Sequence, residues 1–227
     1  INFDGLTSND SIAAGDGADT LVLTAATNAF LTSTVAGDVT VTGVETLSLV
    51  GNAAGDAIDF DGFSAPNSFS KVLVTSTLDA GNITLTDIQT TNIEVRNTNN
   101  ASTSDNINAI TVDLKDSTGT ADSVDLALTN RDVDETMTVA TLTAAGVETL
   151  HITADSAVWT GAPGNMAVTN LTATSLKTVT LAGDSDLTLP AFSTTVTSLS
   201  AAGATGDMAV TFAGGNVTAT GGAGADT

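Results

Sequence analysis

Apolar and polar residues alternate along most of the chain, and in its last third the alternation repeats with a beat. Asn165-Met166-Ala167-Val168, Asp186-Leu187-Thr188-Leu189 and Asp207-Met208-Ala209-Val210 share one pattern: a short polar acceptor, an apolar residue, a small spacer and a second apolar residue. Their starts step by 21 residues twice, from 165 to 186 and from 186 to 207. Between them lies a second recurring piece, Leu176-Lys177-Thr178-Val179-Thr180-Leu181 and then Val196-Thr197-Ser198-Leu199-Ser200-Ala201, offset by 20. Period-two alternation describes β-strands with one buried face. Two such strands in every ~20 residues, repeated, describe the coils of a parallel β-solenoid, or β-helix. The whole chain is read as one all-β solenoid on that beat.

Earlier stretches carry the same pieces. Gly37-Asp38-Val39-Thr40-Val41 returns as Gly81-Asn82-Ile83-Thr84-Leu85, 44 residues on, which is about two periods. Gly43-Val44-Glu45-Thr46-Leu47 returns unchanged as Gly146-Val147-Glu148-Thr149-Leu150, 103 residues on, close to five periods. The apolar members of these blocks should point inward, and Glu45 and Glu148 outward or toward a neighbouring coil. Lying on separate coils, the two glutamates do not make a catalytic pair. Weaker copies occupy Phe69 to Val74 and Ile88 to Val95. Residues 97 to 108 read as a polar loop, Val112 to Leu114 and Val124 to Leu128 as strands, and the threonines of 137–146 favour strand over helix. The expected layout is one continuous segment of a longer chain: acidic turns in 1–23, irregular coils in 24–142, regular coils in 143–220, and the start of another turn in 221–227.

Composition narrows the core and the chemistry. Aromatics make up 4% of the 227 residues while apolar residues make up 41%, so the core is a thin one of Ala, Val, Leu and Ile. The scarcity of rings argues against a carbohydrate-binding platform. There is no cysteine, which removes disulfides, thiolate metal sites and cysteine nucleophiles. Twenty-six acids against five Lys and Arg give a net charge of -21, a surface that repels nucleic acid and anionic membranes and suits cations. A mean hydropathy of +0.24 together with the alternation favours a folded chain over an acidic disordered tail. No run of about 20 apolar residues is present, so no membrane-spanning helix is expected.

Catalysis is not expected. Only Arg96, Arg131, Lys71, Lys115, Lys177 and His151 could serve as bases in a polysaccharide-cleaving groove, and none sits in a recognisable motif. The hydrolase signature G-x-S-x-G is absent. His151, between Leu150 and Ile152, falls on the solvent face of its strand, and a lone histidine without a second ligand does not make a zinc site. Arg131 beside Asp132 reads as a surface ion pair.

The acids themselves are better placed for a hard cation. Asp10 and Asp19 are nine residues apart, as are Ile12 and Leu21, with Gly15-Asp16-Gly17 between them. That spacing resembles the calcium-binding nonapeptide of RTX proteins, G-G-x-G-x-D-x-U-x. There the glycines turn the backbone, the aspartate supplies charged oxygen and the large apolar residue plugs the core. The match is incomplete, since Ala14 replaces a glycine and Leu6 and Ser8 stand where glycine is preferred upstream. A second acid-rich stretch, Asp56-Ala57-Ile58-Asp59-Phe60-Asp61, puts Asp59 and Asp61 on one face and Ile58 and Phe60 on the other. It reads equally as a calcium site completed by the next coil or as a solvated edge. Asp122, Asp125, Asp132 and Asp134 are further candidate ligands.

With Gly146 to Leu150, the strand pairs up to Leu199 and the closing Gly221-Gly222-Ala223-Gly224-Ala225-Asp226-Thr227 in view, the chain resembles the RTX-type surface-layer (S-layer) proteins of Gram-negative bacteria, the Caulobacter S-layer protein family. Residues 143–227 match that layout best. The resemblance implies a right-handed solenoid, type I secretion, location on the outer cell surface, and calcium-dependent self-assembly into a layer. It also implies contact with lipopolysaccharide through other regions, and calcium ligands at Asp10, Asp19 and Asp226 with their flanking glycines. Large RTX adhesins share the same vocabulary, so a stalk or ligand-binding region of an adhesin or biofilm protein is the alternative.

Overall fold

A computed structural model describes residues 2–3, 6, 10–24, 39–50, 56–64, 69–76, 81–89, 92–98, 106–131, 135–156 and 164–227. Every strand pairing in it is parallel. One ten-stranded sheet runs in chain order through β1 (Asn2–Phe3), β3 (Thr20–Thr24), β5 (Thr46–Val50), β7 (Lys71–Ser76), β9 (Asn92–Asn97), β11 (Ser123–Asn130), β13 (Thr149–Ser156), β15 (Thr178–Gly183), β17 (Ser198–Ala204) and β19 (Thr218–Thr220). A seven-stranded sheet contains β6 (Asp56–Asp59), β8 (Asn82–Ile88), β10 (Asn106–Leu114), β12 (Met137–Ala144), β14 (Met166–Thr172), β16 (Leu187–Thr188) and β18 (Met208–Ala209). A third sheet pairs β2 (Ser11–Ala13) with β4 (Thr40–Thr42). Strands that alternate between faces while each face stacks parallel in chain order define a parallel β-solenoid.

The alternation becomes a core by stacking like on like. Leu21, Leu47, Val72, Ile93, Leu126, Ile152 and Leu181 are partners in successive coils of the long sheet, and each is 1% exposed or less. Burying one such side chain stabilises the fold by about 1.5–3 kcal/mol. At one strand end the interior is polar instead. Asn97 and Asn130, both essentially inaccessible, are joined by Asn97 Nδ2 donating to Asn130 Oδ1 at 3.1 Å, and Asn130 Nδ2 donates on to the Glu135 carbonyl at 3.1 Å. A buried amide of this kind is tolerated because its donors and acceptors find partners. Asn97 and Asn106 to Asn108 thus belong to strands, where the polar run had suggested a loop.

The beat of about 20 residues holds at the two ends and at one step between them. The step is 20 from Asn2 to Val22, from Val179 to Leu199 and from Leu199 to Ala219. It is 21 from Met166 to Leu187 and from Leu187 to Met208. Between the ends it becomes 26 (Leu21 to Leu47), 25 (Leu47 to Val72), 21 (Val72 to Ile93), 33 (Ile93 to Leu126), 26 (Leu126 to Ile152) and 29 (Ile152 to Leu181). Strand rows constrain only the residues they pair, so a coil lengthens between strands without disturbing its neighbours.

The face opposite the long sheet is interrupted at one coil. Ile58 pairs forward with Leu85, whereas Phe63 bridges back to Val39. Between them a 3-10 turn, Phe60–Gly62, breaks the extended run. Three rings fill the gap beneath: Phe63 lies 6.0 Å from Phe60 and 5.2 Å from Phe69, edge-on to the latter. Val39 and Ile83 therefore lie two coils apart, as their 44-residue offset predicted. By contrast, β5 and β13, 103 residues apart, are separated by four coils rather than five, because the coils between them are longer than 20 residues.

Candidate functional site

The break in the second face positions the best-formed cluster of acids. Asp59 caps the 3-10 turn, its Oδ1 accepting from the Asp61 N–H at 2.9 Å, while Ile58 and Phe60 point into the core. The next coil supplies Asp87. Val112 pairs with Leu85 but Leu114 pairs with Ile88, so β8 carries one residue more than β10 across this stretch, a β-bulge. Asp87 occupies it with φ +55, a conformation that aspartate visits more readily than most residues. One carboxylate oxygen from each of Asp59, Asp61 and Asp87 lies within 4.8 Å of the others. This is the only such group of three among the described residues.

The coil after that adds Lys115, whose Nζ reaches Asp61 Oδ1 at 2.5 Å. The electrostatics follow from this crowding. Partial burial, then the charges of Asp61, Asp59 and Asp113, push the Asp87 carboxyl above its ordinary value, against the opposing pull of Lys115. The hydrogen bond to Asp61 in turn raises the Lys115 ammonium. Three carboxylates and one lysine leave excess negative charge and hard oxygen donors, which a divalent cation would neutralise. The sequence singled out Asp59 and Asp61, equally as a calcium site completed by the next coil or as a solvated edge; it did not single out Asp87, which the next coil brings to them. The available signal was the adjacent polar pair Thr86-Asp87 between Leu85 and Ile88, which breaks the alternation where the bulge forms. Asp56 opens β6 in register with Ile83.

The RTX-like stretch is placed otherwise. Ile12 and Leu21 are both buried, as the nine-residue spacing requires. Gly15, Asp16 and Gly17 form an exposed bend, with Gly17 at φ +138. The Asp10 carbonyl accepts from Thr40 N–H. Asp19 is held through its backbone: its N–H donates to Glu45 Oε2 at 2.8 Å, and its carbonyl accepts from the N–H groups of Glu45 and Thr46. Asp10, Asp16 and Asp19 do not converge with a third described carboxylate.

That arrangement is repeated 103 residues later. Asp122 N–H donates to Glu148 Oε2 at 3.0 Å, and its carbonyl accepts from Glu148 and Thr149. Gly43 and Gly146 have φ of +66 and +73, and a Cβ on either would strike the loop beneath, 2.8 Å from the Ala14 carbonyl oxygen and 2.7 Å from Ser117 Cβ respectively. Val44 and Val147 are fully buried. Gly-Val-Glu-Thr-Leu is thus a corner that fastens one coil to the one before, and its glutamates face the neighbouring coil. One oxygen of Asp122, Oδ2, is buried there without a partner.

A third set of acids stacks along the regular coils. Asp186 Oδ1 accepts from Asp207 N–H at 2.8 Å, and Asp207 Oδ1 from Ala225 N–H at 2.6 Å. Asp226 accepts from Met208 and Gly222 N–H groups through its two oxygens. At Asp186 and Asp207 the polar acceptor that opens the repeat therefore ties successive coils together. On the outer face of the long sheet, Glu94, 7% exposed, binds both Lys71 and Arg96 at 2.6 and 2.5 Å. His151 is partly exposed on the same face, 3.9 Å from Asp125. Asp132 and Asp134 lie outside the described residues. No described helix is long and apolar enough to cross a membrane. Comparison with protein-family models, curated proteins and solved structures finds no match.

Proposed function

We propose that this chain is an architectural segment of a secreted bacterial surface layer, a calcium-stabilised solenoid that associates with its own copies on the cell surface. The observation that carries the cation part is the convergence of Asp59, Asp61 and Asp87 from two successive coils. A chain of net charge -21 repels itself when compact. A divalent ion bound only by the folded state offsets that repulsion and stabilises by mass action. Calcium is favoured over magnesium because a cluster of carboxylates suits its irregular oxygen shell, whereas magnesium demands a strict octahedron and keeps its waters. Millimolar calcium outside the cell fills even weak sites, so ordering would follow export. The surface location, the export route and the self-association rest on the resemblance in Gly146 to Leu150 and Gly221 to Thr227, and contact with lipopolysaccharide is assigned to other regions.

The test is a titration with calcium, with magnesium as control, followed by circular dichroism and light scattering. Calcium should sharpen the β signal and start ordered association at concentrations where magnesium does neither, and Asp87→Asn should weaken the response. A calcium-dependent fold that stays monomeric would move the assignment to an adhesin stalk. No response to calcium would overturn the metal-dependent reading.

A further inference from the structure

We draw no further inference here: the strongest candidate, the acidic corner where Asp122 N–H meets the buried Glu148 carboxylate beside the groove lined by Ile88, Leu114, Lys115 and Asp116, is a pair of carboxylates with only a partly buried aspartate and no second observation pointing to a ligand, and it adds nothing to the cation reading proposed above.

Discussion

Asp87 shows how one residue can be a cost to the fold and an asset to a site. Its folded-state pKa is raised, first by burial and then by Asp61, Asp59 and Asp113. An acid raised in this way penalises the folded state wherever it is ionised. The penalty is fully present above the folded pKa and disappears below the unfolded one, near ~3.9. Asp87→Asn keeps a residue that accepts positive φ. It should raise the melting temperature at pH 7 without divalent ions, and the gain should vanish by pH ~3; thermal melts at both values decide it. Glu94 has the opposite sign. Burial alone would raise its carboxyl, but hydrogen bonds from Lys71 and Arg96 outweigh it and leave the pKa lowered. Its contribution is present above the unfolded glutamate value and lost as pH falls through the folded one. Glu94→Gln should cost about 1 kcal/mol in urea melts at pH 7, since both cations are over a third exposed or nearly so. The difference from wild type should close in acid.

At the scale of elements, the corners hold the coils together. Gly146→Ala combines a left-handed φ with a collision against Ser117, so a loss of about 1–3 kcal/mol is expected. Glu148→Ala removes the acceptor of Asp122 N–H and should cost about 1–2 kcal/mol, with Glu148→Gln recovering most of it because an amide oxygen can still accept. Chemical denaturation of the three variants measures both. The role of these glutamates was half legible in the sequence. Identical five-residue blocks announced a shared geometry, and alternation fixed Leu47 and Leu150 as core. The hydrogen bond from a residue 26 positions earlier could not be read, because it depends on coil length, and coil length is set by segments with no period. The same limit explains the site: Asp59 and Asp61 stand out locally, whereas Asp87 reaches them through a bulge and Lys115 from two coils further along, each 27 residues by the row Ile58, Leu85 and Val112 rather than the expected 20 or so. The 3-10 turn was hidden because Ile58-Asp59-Phe60-Asp61 alternates as well as any strand.

Across the whole molecule, charge and stacking pull in opposite directions. Only three of the five Lys and Arg residues, Lys71, Arg96 and Lys115, are seen paired with acids among the described residues. Most of the net charge of -21 therefore acts as repulsion between coils. Raising monovalent salt from about 10 mM to about 1 M shortens the screening length from about 30 Å to about 3 Å. The melting temperature without calcium should rise accordingly, and calcium should then add less than it does at low salt. A calorimetric salt series with and without calcium checks this. If salt left stability unchanged, repulsion would not be what calcium relieves.

The duplicated corner also makes the molecule a candidate for splicing. Gly43 sits on the loop before Asp19 as Gly146 sits on the loop before Asp122, and the rows from β5 to β13 are four coils apart. Removing residues 44–146 joins Gly43 directly to Val147 and restores Gly-Val-Glu-Thr-Leu at the junction. Glu148 would then receive the Asp19 N–H that Glu45 accepts now. A shortened rod, cut and rejoined along a seam that the chain already contains twice, is the expected product.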